Sequence, residues 1–188
     1  NTLPGYKVHS KLLLIRRKEN GNNIYYTNIS TGNFNELTAR VYSDTSLLTA
    51  NQKLGNEANM LFQMFEMPFN LPKFKHLMVS PHELRSGLST LINREIRNAK
   101  LGKEAWMIIK LNNIVDTKIV NKLYQASRAG VRIDIICRGI CVLIPQVKGL
   151  SDNLRVISIV DKYLEHSRIH VFANDGDPLY FISSADWM

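Results

Sequence analysis

Two runs rich in β-forming residues lie near the start of the chain, over residues 7–16 and 24–29. The segment between them, 18–23, reads KENGNN and is rich in residues that favour turns. Two such runs joined by a short turn predict a β-hairpin.

A helical pattern follows the hairpin. Apolar residues recur there at spacings of three and four, which places them on one face of a helix. They are Leu54, Ala58, Leu61, Phe62 and Phe65. Pro68 and Pro72 come soon after this pattern, and proline disfavours the continuation of a helix. We therefore predict an amphipathic helix that ends, with its structural unit, at these prolines.

Beyond this helix the pattern changes to an alternation of apolar, strand-like runs with helical stretches. The runs are HLMVS at 76–80, WMIIKL at 106–111 and VRIDIIC at 131–137. Alternation of this kind predicts parallel strands in one sheet that is flanked by helices. The fold class that we expect is therefore α/β, with α+β features from the hairpin.

The helices between these runs carry recognisable end signals. Ser80, Pro81 and Glu83 fit an N-cap, a first helical residue and a capping-box partner. Asp116 can cap the next helix, and Gly130 fits the position just after its end. The stripes expected to face the sheet are Leu84, Leu88, Leu91, Ile92 and Ile96 in the first helix and Ile119, Val120, Leu123 and Tyr124 in the second.

The change from hairpin and helix to strand–helix alternation also marks a boundary near residues 68–75. We predict one domain over residues 1–72 and a second over residues 73–188. A chain of 188 residues is long enough for one domain or a tightly joined pair.

Composition excludes several classes of protein. The chain is 45% hydrophobic and 21% charged, close to globular averages, which disfavours a disordered or collagen-like chain. No apolar run approaches the roughly 20 residues needed to cross a bilayer, and the first residues lack a signal-peptide pattern. We expect a folded chain in the cytoplasm.

The chain is basic, with 24 Lys and Arg residues against 16 Asp and Glu residues. An excess of eight positive charges favours an anionic partner such as a nucleic acid, a nucleotide or polyphosphate. Cys137 and Cys141 lie four residues apart with no second pair beside them, which disfavours a zinc site. We predict that both are buried thiols.

Two segments of the chain resemble each other, VHSKLLLI at 8–15 and EHSRIHVF at 165–172. Each places a histidine two residues before a cation, at the start of a β-rich run. Related loops follow, ISTGNF at 29–34 and ISSADW at 182–187. Two copies of one motif with matching loops indicate a single composite site.

The spacing within each copy brings its histidine and its cation together. Residues two apart in a strand point to the same face, so His9 lies beside Lys11 and His166 beside Arg168. An imidazole can attack phosphorus or move a proton, while a neighbouring cation holds phosphate oxygens. His170 shares the face of His166, and a participating role and a structural role are equally compatible with that position.

The pairing of a His-x-Lys or His-x-Arg motif with a downstream small, polar loop resembles the phospholipase D superfamily. In that superfamily two such modules meet, and one histidine becomes phosphorylated. The resemblance implies two phospholipase-D-like halves with a mostly parallel sheet flanked by helices. The superfamily places an aspartate five residues after the lysine, where this chain has Arg16 and Ala173. These departures count against phosphodiesterase chemistry.

A second resemblance covers nearly the whole chain. Together, KVHSKLLLI, ISTGNFNELTARVYSDTSLLTA, IKLNNIVD, ICRGICVLIP, SDNLRVISIVDKYLEHSRIHVF and ISSADWM resemble bacterial polyphosphate kinase. That family transfers the terminal phosphoryl group of ATP reversibly to inorganic polyphosphate, through a phosphohistidine and with magnesium. The resemblance implies a C-terminal fragment in which both phospholipase-D-like halves are incomplete.

The resemblance also assigns roles to single residues. His9 of VHSK would be the phosphorylated nucleophile, and His166 of LEHSR would contact ATP and transfer protons. Tyr42 of ARVYSD and Arg138 of ICRGIC match positions that bind ATP. Arg138 also follows an apolar strand-like run, and open α/β sheets bind ligands at the carboxyl ends of their strands. From spacing, we add four oxyanion stabilisers: Lys11, Asn33, Asn35 and Arg168.

Two features of the family lie elsewhere or are replaced. Its magnesium-contacting residues lie upstream of VHSK, so we expect no metal ligand within this chain and Mg²⁺ held by the preceding region. Many members carry a histidine where this chain has Asn28. An amide cannot accept a phosphoryl group, so we expect no phosphohistidine there.

Two alternatives to a kinase stay open. A phospholipase-D-type phosphodiesterase or nuclease would use the same two motifs without ATP. A non-catalytic basic module would bind nucleic acid, although aromatic residues are only 9% and fall mostly in apolar patterns. The kinase hypothesis expects ATP, ADP and polyphosphate as partners, no nucleic acid and a homo-oligomeric parent protein. It expects a cytoplasmic location and leaves peripheral association with a membrane open.

Overall fold

The computed structural model describes residues 8–67 and 71–188 of the chain. Two residues named in the sequence predictions lie outside these ranges: Lys7, where the predicted hairpin begins, and Pro68, after the predicted helix. No helix within the described ranges is both long and apolar enough to cross a membrane.

The chain begins with the predicted hairpin. Strands β1 (Lys11–Glu19) and β2 (Asn22–Ser30) pair in antiparallel register along their whole length. The turn is shorter than predicted, because only Asn20 and Gly21 remain unpaired between the strands. Both residues take positive φ angles, 49° and 82°, as a tight two-residue hairpin turn requires.

A small antiparallel sheet is built on this hairpin. The short helix α1 (Glu36–Ala39) and the short strand β3 (Tyr42–Ser43) follow it. Strand β4 (Ser46–Thr49) then pairs with β2 and gives the strand order β1–β2–β4. Helix α2 (Gln52–Glu66) comes next and packs against β2 and β1.

The buried face of α2 is rotated from the predicted one. Ala58 and Leu61 are buried as expected, but Met64 is buried as well, and Phe62 is 38% exposed. Gly55 explains the rotation, because a Cβ atom at Gly55 would lie 2.4 Å from the Cβ of Tyr25. The helix turns its small residues towards the sheet and approaches it closely.

The second half of the chain forms a five-stranded sheet. Helices α3 (Leu84–Lys100) and α4 (Thr117–Arg128) pack together against it. The strands, in chain order, are β5 (Trp106–Leu111), β6 (Arg132–Cys137), β7 (Leu154–Ile157), β9 (Arg168–Phe172) and β10 (Leu179–Ser183), with the two-residue strand β8 (Leu164–Glu165) between β7 and β9. The order in the sheet is β10–β9–β5–β6–β7.

The pairing in this sheet is mixed. Strands β5, β6 and β7 are parallel, as the alternation predicts. Strands β9 and β10 continue the sheet in antiparallel register. The core between sheet and helices includes the predicted stripes, with Leu88, Ile92, Ile119 and Leu123 buried against Met107, Ile109, Ile133 and Ile135.

The end signals of α4 are confirmed, whereas those of α3 are wrong. The Asp116 side chain accepts hydrogen bonds from the backbone N–H groups of Lys118 and Ile119, and Gly130 has a φ of 95°. Helix α3 begins only at Leu84 and has no side-chain cap. Residues 80–83 form a turn instead, in which the Glu83 N–H donates to the Val79 carbonyl. Ser80 is therefore not an N-cap.

The run HLMVS at 76–80 does not form the predicted strand. The buried Glu57 carboxylate of α2 accepts hydrogen bonds from three successive backbone N–H groups, those of Lys75, His76 and Leu77. These donors are not available for a strand ladder. The segment binds the first half of the chain rather than the second sheet.

A two-stranded parallel pairing connects the halves near the repeated motifs. Strand β3 pairs with β8 so that Tyr42 lies opposite Leu164 and Ser43 opposite Glu165. The Ser43 carbonyl also accepts hydrogen bonds from the N–H groups of His166 and Ser167. The second histidine motif is thereby fixed to the first half of the chain.

The prediction of buried thiols is confirmed for one cysteine only. Cys137 is buried, whereas Cys141 is half-buried. Burial raises the pKa of the Cys137 thiol to about 11, so this thiol is protonated at neutral pH.

Candidate active site

The first histidine motif brings its two side chains into contact, as its spacing predicts. Lys11 Nζ lies 2.8 Å from His9 Nε2 and donates to the His9 carbonyl at 2.7 Å. His9 is exposed, while Lys11 is buried at the start of β1. A buried cation thus stands beside an accessible imidazole nitrogen.

The second motif repeats this geometry. Arg168 Nη1 lies 3.2 Å from His166 Nε2 and donates to the His166 carbonyl at 3.0 Å. Here both side chains are buried. The two copies therefore share one local arrangement, in which a cation contacts both the ring and the carbonyl of the histidine two residues before it.

The Nδ1 atom of each histidine contacts the other half of the chain. His9 Nδ1 donates to the Ser184 carbonyl at 3.0 Å, and His166 Nδ1 donates to the Asp44 carboxylate at 2.7 Å. A carbonyl and a carboxylate can only accept, so both Nδ1 atoms carry the proton and both Nε2 atoms carry a lone pair. The two rings are held in the same tautomer by reciprocal contacts.

Asp44 is a site residue that the sequence analysis missed. Its Oδ1 atom accepts from His166 and also from the Thr31 hydroxyl at 2.7 Å. Gly32 leaves the space that this carboxylate occupies, because a Cβ atom at Gly32 would lie 2.1 Å from Asp44 Oδ2. The only sequence signal is the position of Asp44 two residues after Tyr42, in ARVYSD. The loop ISTGNF therefore positions Asp44, through the Thr31 hydroxyl and through the space at Gly32.

Tyr42 packs against His166, and Arg138 lies within electrostatic range of it. The Tyr42 ring is tilted against the His166 ring, with 5.0 Å between centroids. Arg138 donates from Nε to the Asn112 side chain at 3.0 Å, and its charge is close enough to lower the pKa of His166. The three residues that the resemblance assigns to ATP binding are thus brought together.

Burial dominates the electrostatics of His166. Desolvation lowers the pKa of His166, and the positive charges of Arg168 and Arg138 lower it further. The Asp44 carboxylate raises this pKa. The net result is a pKa below the ordinary value for histidine. The neutral ring is therefore favoured at pH 7, with Nε2 available as a base or as an acceptor. The contact with Asp44 is a hydrogen bond of a neutral histidine.

Arg168 has a carboxylate partner in the second loop. Its Nε and Nη2 atoms donate to the two oxygens of Asp186, each at 3.1 Å. Burial raises the pKa of Asp186, but Arg168, the backbone N–H of Asn112 and the side-chain amide of Asn113 lower it to a net value below the ordinary one. Arg168 is held in place by this pair, and its role as an oxyanion stabiliser stays a prediction.

The two asparagines of the first loop lie at the surface. Asn35 accepts with its side-chain oxygen from the N–H groups of Leu37 and Thr38, and so caps α1. Asn33 is exposed in the position that matches Asp186. Phosphate binding by either side chain stays a prediction.

The described residues do not fit a magnesium site. Within residues 8–67 and 71–188, no three His, Cys, Asp or Glu side chains are grouped closely enough to hold a metal ion. The carboxylates at the site are engaged by cations or rings: Asp44 by His166, Asp186 by Arg168, and Glu165 by Lys110. Free carboxylate oxygens, the ligands that Mg²⁺ prefers, are not assembled here.

His170 is not part of this arrangement. It is buried in β9, with its ring centroid 5.1 Å from that of Trp187. Burial lowers the pKa of His170 to about 4. The structural role predicted as one alternative for His170 is therefore favoured, because its ring packs against Trp187 in the core.

Comparison with known proteins gives matches over both halves of the chain. The family model for polyphosphate kinase C-terminal domain 1 matches residues 1–70, and the model for C-terminal domain 2 matches residues 77–188. The polyphosphate kinases of Vibrio parahaemolyticus and Escherichia coli strain K12 are 55% and 51% identical to this chain over 185 residues.

A solved structure matches as well. The crystal structure of polyphosphate kinase from Porphyromonas gingivalis has a TM-score of 0.91 and 44% sequence identity, and the match covers 100% of this chain and 29% of that one. The chain spans 27% of the length of the two curated relatives named above. With both halves matched, together with the paired histidine motifs, the chain belongs to the polyphosphate kinase family.

Proposed function

We propose that this protein is a polyphosphate kinase, which transfers the terminal phosphoryl group of ATP reversibly to inorganic polyphosphate. The observation that carries the proposal is that His9 and His166 each have a lone pair on Nε2 and a cation beside it. The names of the relatives that share 51–55% of its residues support the same reaction.

The first step is an in-line attack by His9. Its Nε2 lone pair forms a bond to the γ-phosphorus of ATP, the bond from that phosphorus to the β,γ-bridging oxygen breaks, and ADP leaves. Exposure of His9 gives the nucleotide access to this nitrogen. The Ser184 carbonyl accepts from Nδ1 and stabilises the positive charge that the ring gains during attack.

Lys11 supplies the charge that the transferring group needs. Its ammonium lies 2.8 Å from the attacking nitrogen, so a phosphoryl oxygen bound to Lys11 is held next to Nε2. Such a cation offsets negative charge on the equatorial oxygens in the transition state. Burial of Lys11 strengthens this interaction, because water screens a buried charge less.

The second step reverses the chemistry onto a different acceptor. A terminal oxygen of polyphosphate attacks the phosphorus on His9, the phosphorus–nitrogen bond breaks, and the neutral ring is regenerated. The chain is then longer by one unit. His166, kept neutral by burial and oriented by Asp44, is placed to accept or return the proton of a phosphate oxygen.

The proposal also includes a metal ion, a nucleotide site, a location and an assembly. Magnesium, which offsets phosphate charge when bound, would be held by the region that precedes VHSK in the family. Tyr42, Arg138 and His166 would contact the nucleotide. A cytoplasmic location and a homo-oligomeric assembly complete the proposal.

The test is phosphorylation of the intact protein with γ-labelled ATP and magnesium. The expected label is acid-labile and base-stable, chases into polyphosphate, and is absent from the variant His9→Ala. The matched control is His76→Ala, which removes an exposed histidine and should label normally. A protein that takes no label yet cleaves phosphodiesters would show instead that the phospholipase-D-type alternative is correct.

A further inference from the structure

The positive charge of this chain is concentrated on α3 and α4. These two helices carry seven cations, namely Arg85, Arg94, Arg97, Lys100, Lys118, Lys122 and Arg128, and one carboxylate, Glu95. Their net charge of +6 compares with +8 for all 188 residues. Glu95 is fully buried and accepts from the Asn174 N–H, and Arg94, whose charge acts on Glu95, has buried guanidinium nitrogens, so the charge at the surface comes from the other six cations.

Two of these cations, Lys100 and Arg128, line a groove between the helices. The groove lies between the C-terminal parts of α3 and α4 and is lined by Asn93, Ile96, Lys100, Gln125, Arg128 and Ala129. Lys122 donates to the Asn93 side chain at 2.8 Å, and Arg97 is exposed one turn after Asn93. We call Arg97, Lys100, Lys122 and Arg128 the basic helix face.

No acidic residue neutralises the basic helix face. Across residues 8–67 and 71–188, the ion pairs involve Arg85, Lys103 and other cations, but none of the four residues of the face. Arg97, Lys100 and Arg128 complement the dipoles of the helix ends, which explains one turn of basic residues on each helix. The helix dipoles do not explain why basic residues of both helices lie at one groove.

The face lies away from the reacting histidines. The N-terminal ends of α3 and α4 border a cleft that Arg85 and Asp116 share with Asp186 and Trp187 of the second loop. Helix α3 has 17 residues, so its C-terminal end lies about 25 Å along its axis from that cleft. A ligand that contacts both regions must be long.

We propose that the basic helix face binds inorganic polyphosphate at a distance from its reacting end. This inference rests on the proposed function, since a polyphosphate kinase holds a linear polyanion. Such a chain carries a charge on every unit and no bases. The face suits it, because α3 contains no aromatic residue and the one in α4, Tyr124, is half-buried with its hydroxyl accepting from the Ile144 N–H. Single-stranded nucleic acid would need exposed rings for stacking.

If polyphosphate occupies this face, its affinity for the protein should depend on the length of the polyphosphate chain. A short polyphosphate reaches only the histidines, whereas a long one also contacts the face. Binding of the long chain should therefore be tighter and should weaken more steeply with salt, because each contact releases counterions.

The test measures binding of long-chain polyphosphate and of tripolyphosphate to the intact protein over a range of salt concentrations. In the variant Arg97→Gln/Lys100→Gln/Arg128→Gln, long-chain affinity should fall about tenfold. The slope of log K against log salt should become shallower by about 2, at roughly 0.7 for each lost contact. Tripolyphosphate affinity and labelling of His9 by ATP should be unchanged.

Two controls separate the face from general charge and from folding. Arg16→Gln/Lys18→Gln/Lys53→Gln removes three exposed cations from the first half and should leave long-chain affinity nearly unchanged. Arg97→Lys/Lys100→Arg/Arg128→Lys keeps the charge and should bind as the parent does. Circular dichroism and thermal unfolding check that every variant is folded.

Other results overturn the inference while leaving the proposed function intact. Equal losses in the two neutralised variants would show that net charge, not this face, attracts the polymer. Unchanged long-chain binding with altered subunit association would identify the face as a protein interface. Tighter binding of a homopolymeric RNA of equal charge would make nucleic acid the ligand. Failure of His9 labelling in the parent protein would count against the kinase alone, because the binding measurement needs no turnover.

Discussion

The two halves of the molecule use the same His-x-cation motif in different surroundings. In the first half His9 is exposed and Leu13, four residues on, is 45% exposed. In the second half His166 is 8% exposed, and His170, the residue that matches Leu13, is 1% exposed. The motif therefore gives an accessible imidazole in one half and a desolvated, fixed ring in the other.

The cations differ in the same sense. Arg168 is locked by both oxygens of Asp186, whereas the matching loop position in the first half is the uncharged Asn33. The Asp186 carboxylate therefore competes with a phosphate for Arg168. The same motif thus stands in an exposed setting in one half and in a buried, charge-paired setting in the other.

The largest effect on activity is expected when the second histidine is removed, which tests whether the two histidines have separate roles. In His166→Ala, phosphoryl turnover should fall roughly 10²- to 10⁴-fold, since proton transfer and part of the nucleotide contact are lost. His9 should nevertheless reach full labelling at long times, because the nucleophile is intact. Complete loss of label, as expected for His9→Ala, would show that the two histidines do not have separate roles.

The buried His170 gives the next largest effect, on stability. Burial lowers its pKa to about 4 from an ordinary value of 6.5, so the unfolded chain binds a proton over a range of pH in which the folded chain does not. Titration of His170 has no effect on the free energy of unfolding well above pH 6.5. As the pH decreases, protonation of this histidine in the unfolded chain lowers the free energy of unfolding, by about 3 kcal/mol at pH 4. Urea unfolding at several pH values measures this loss.

The variant His170→Phe should reduce that acid dependence. Unfolding at pH 8, where the histidine is neutral in both states, isolates the change in packing against Trp187. If the variant and the parent lose equal stability between pH 6.5 and pH 4, the acid sensitivity belongs to other groups.

Asp44→Asn should reduce turnover by about 10- to 100-fold, less than loss of His166 itself, because Asp44 acts through that ring. The amide oxygen can still accept from Nδ1, but the negative charge that raises the pKa of His166 is gone. The acid limb of the pH–rate profile should move to lower pH. Asp161→Asn, at an exposed position, is the matched control. If the acid limb stays at the same pH, Asp44 packs against His166 without controlling its pKa during turnover.

The smallest expected effect comes from making the two loops alike. Asn33→Asp introduces a carboxylate at the position that Asp186 holds in the second half. It should compete with phosphate for Lys11 and slow labelling of His9 up to about fivefold, with the effect fading at high salt. Asn33→Ser, which adds no charge, should label at the parent rate. Equal labelling of both variants would place residue 33 away from the transferring group.

Sequence reasoning succeeded where the determining residues are close together in the chain. Asp116 and Gly130 set the ends of α4 through hydrogen bonds and a backbone angle within a few residues. Each His-x-cation contact likewise depends on two residues that are only two positions apart, at the point where a strand begins. Such features follow from local geometry, so the pattern alone carries them.

It failed where a distant side chain decides the structure. The run at 76–80 has the composition of a strand, but the carboxylate of Glu57, 18–20 residues earlier, takes the N–H groups of residues 75–77. The contact of Asp44 with His166 spans 122 residues. No local pattern distinguishes Asp44 from any other exposed aspartate, so only the assembled halves reveal its partner.

The reciprocal hydrogen bonds of His9 and His166 make the chemistry conditional on assembly. Each ring owes its reactive tautomer to an acceptor from the opposite half, Ser184 for one and Asp44 for the other. If the halves part by a few ångströms, both rings become ordinary exchanging imidazoles at once. The tautomer that the proposed mechanism needs is therefore fixed in both rings only while the two halves are in contact.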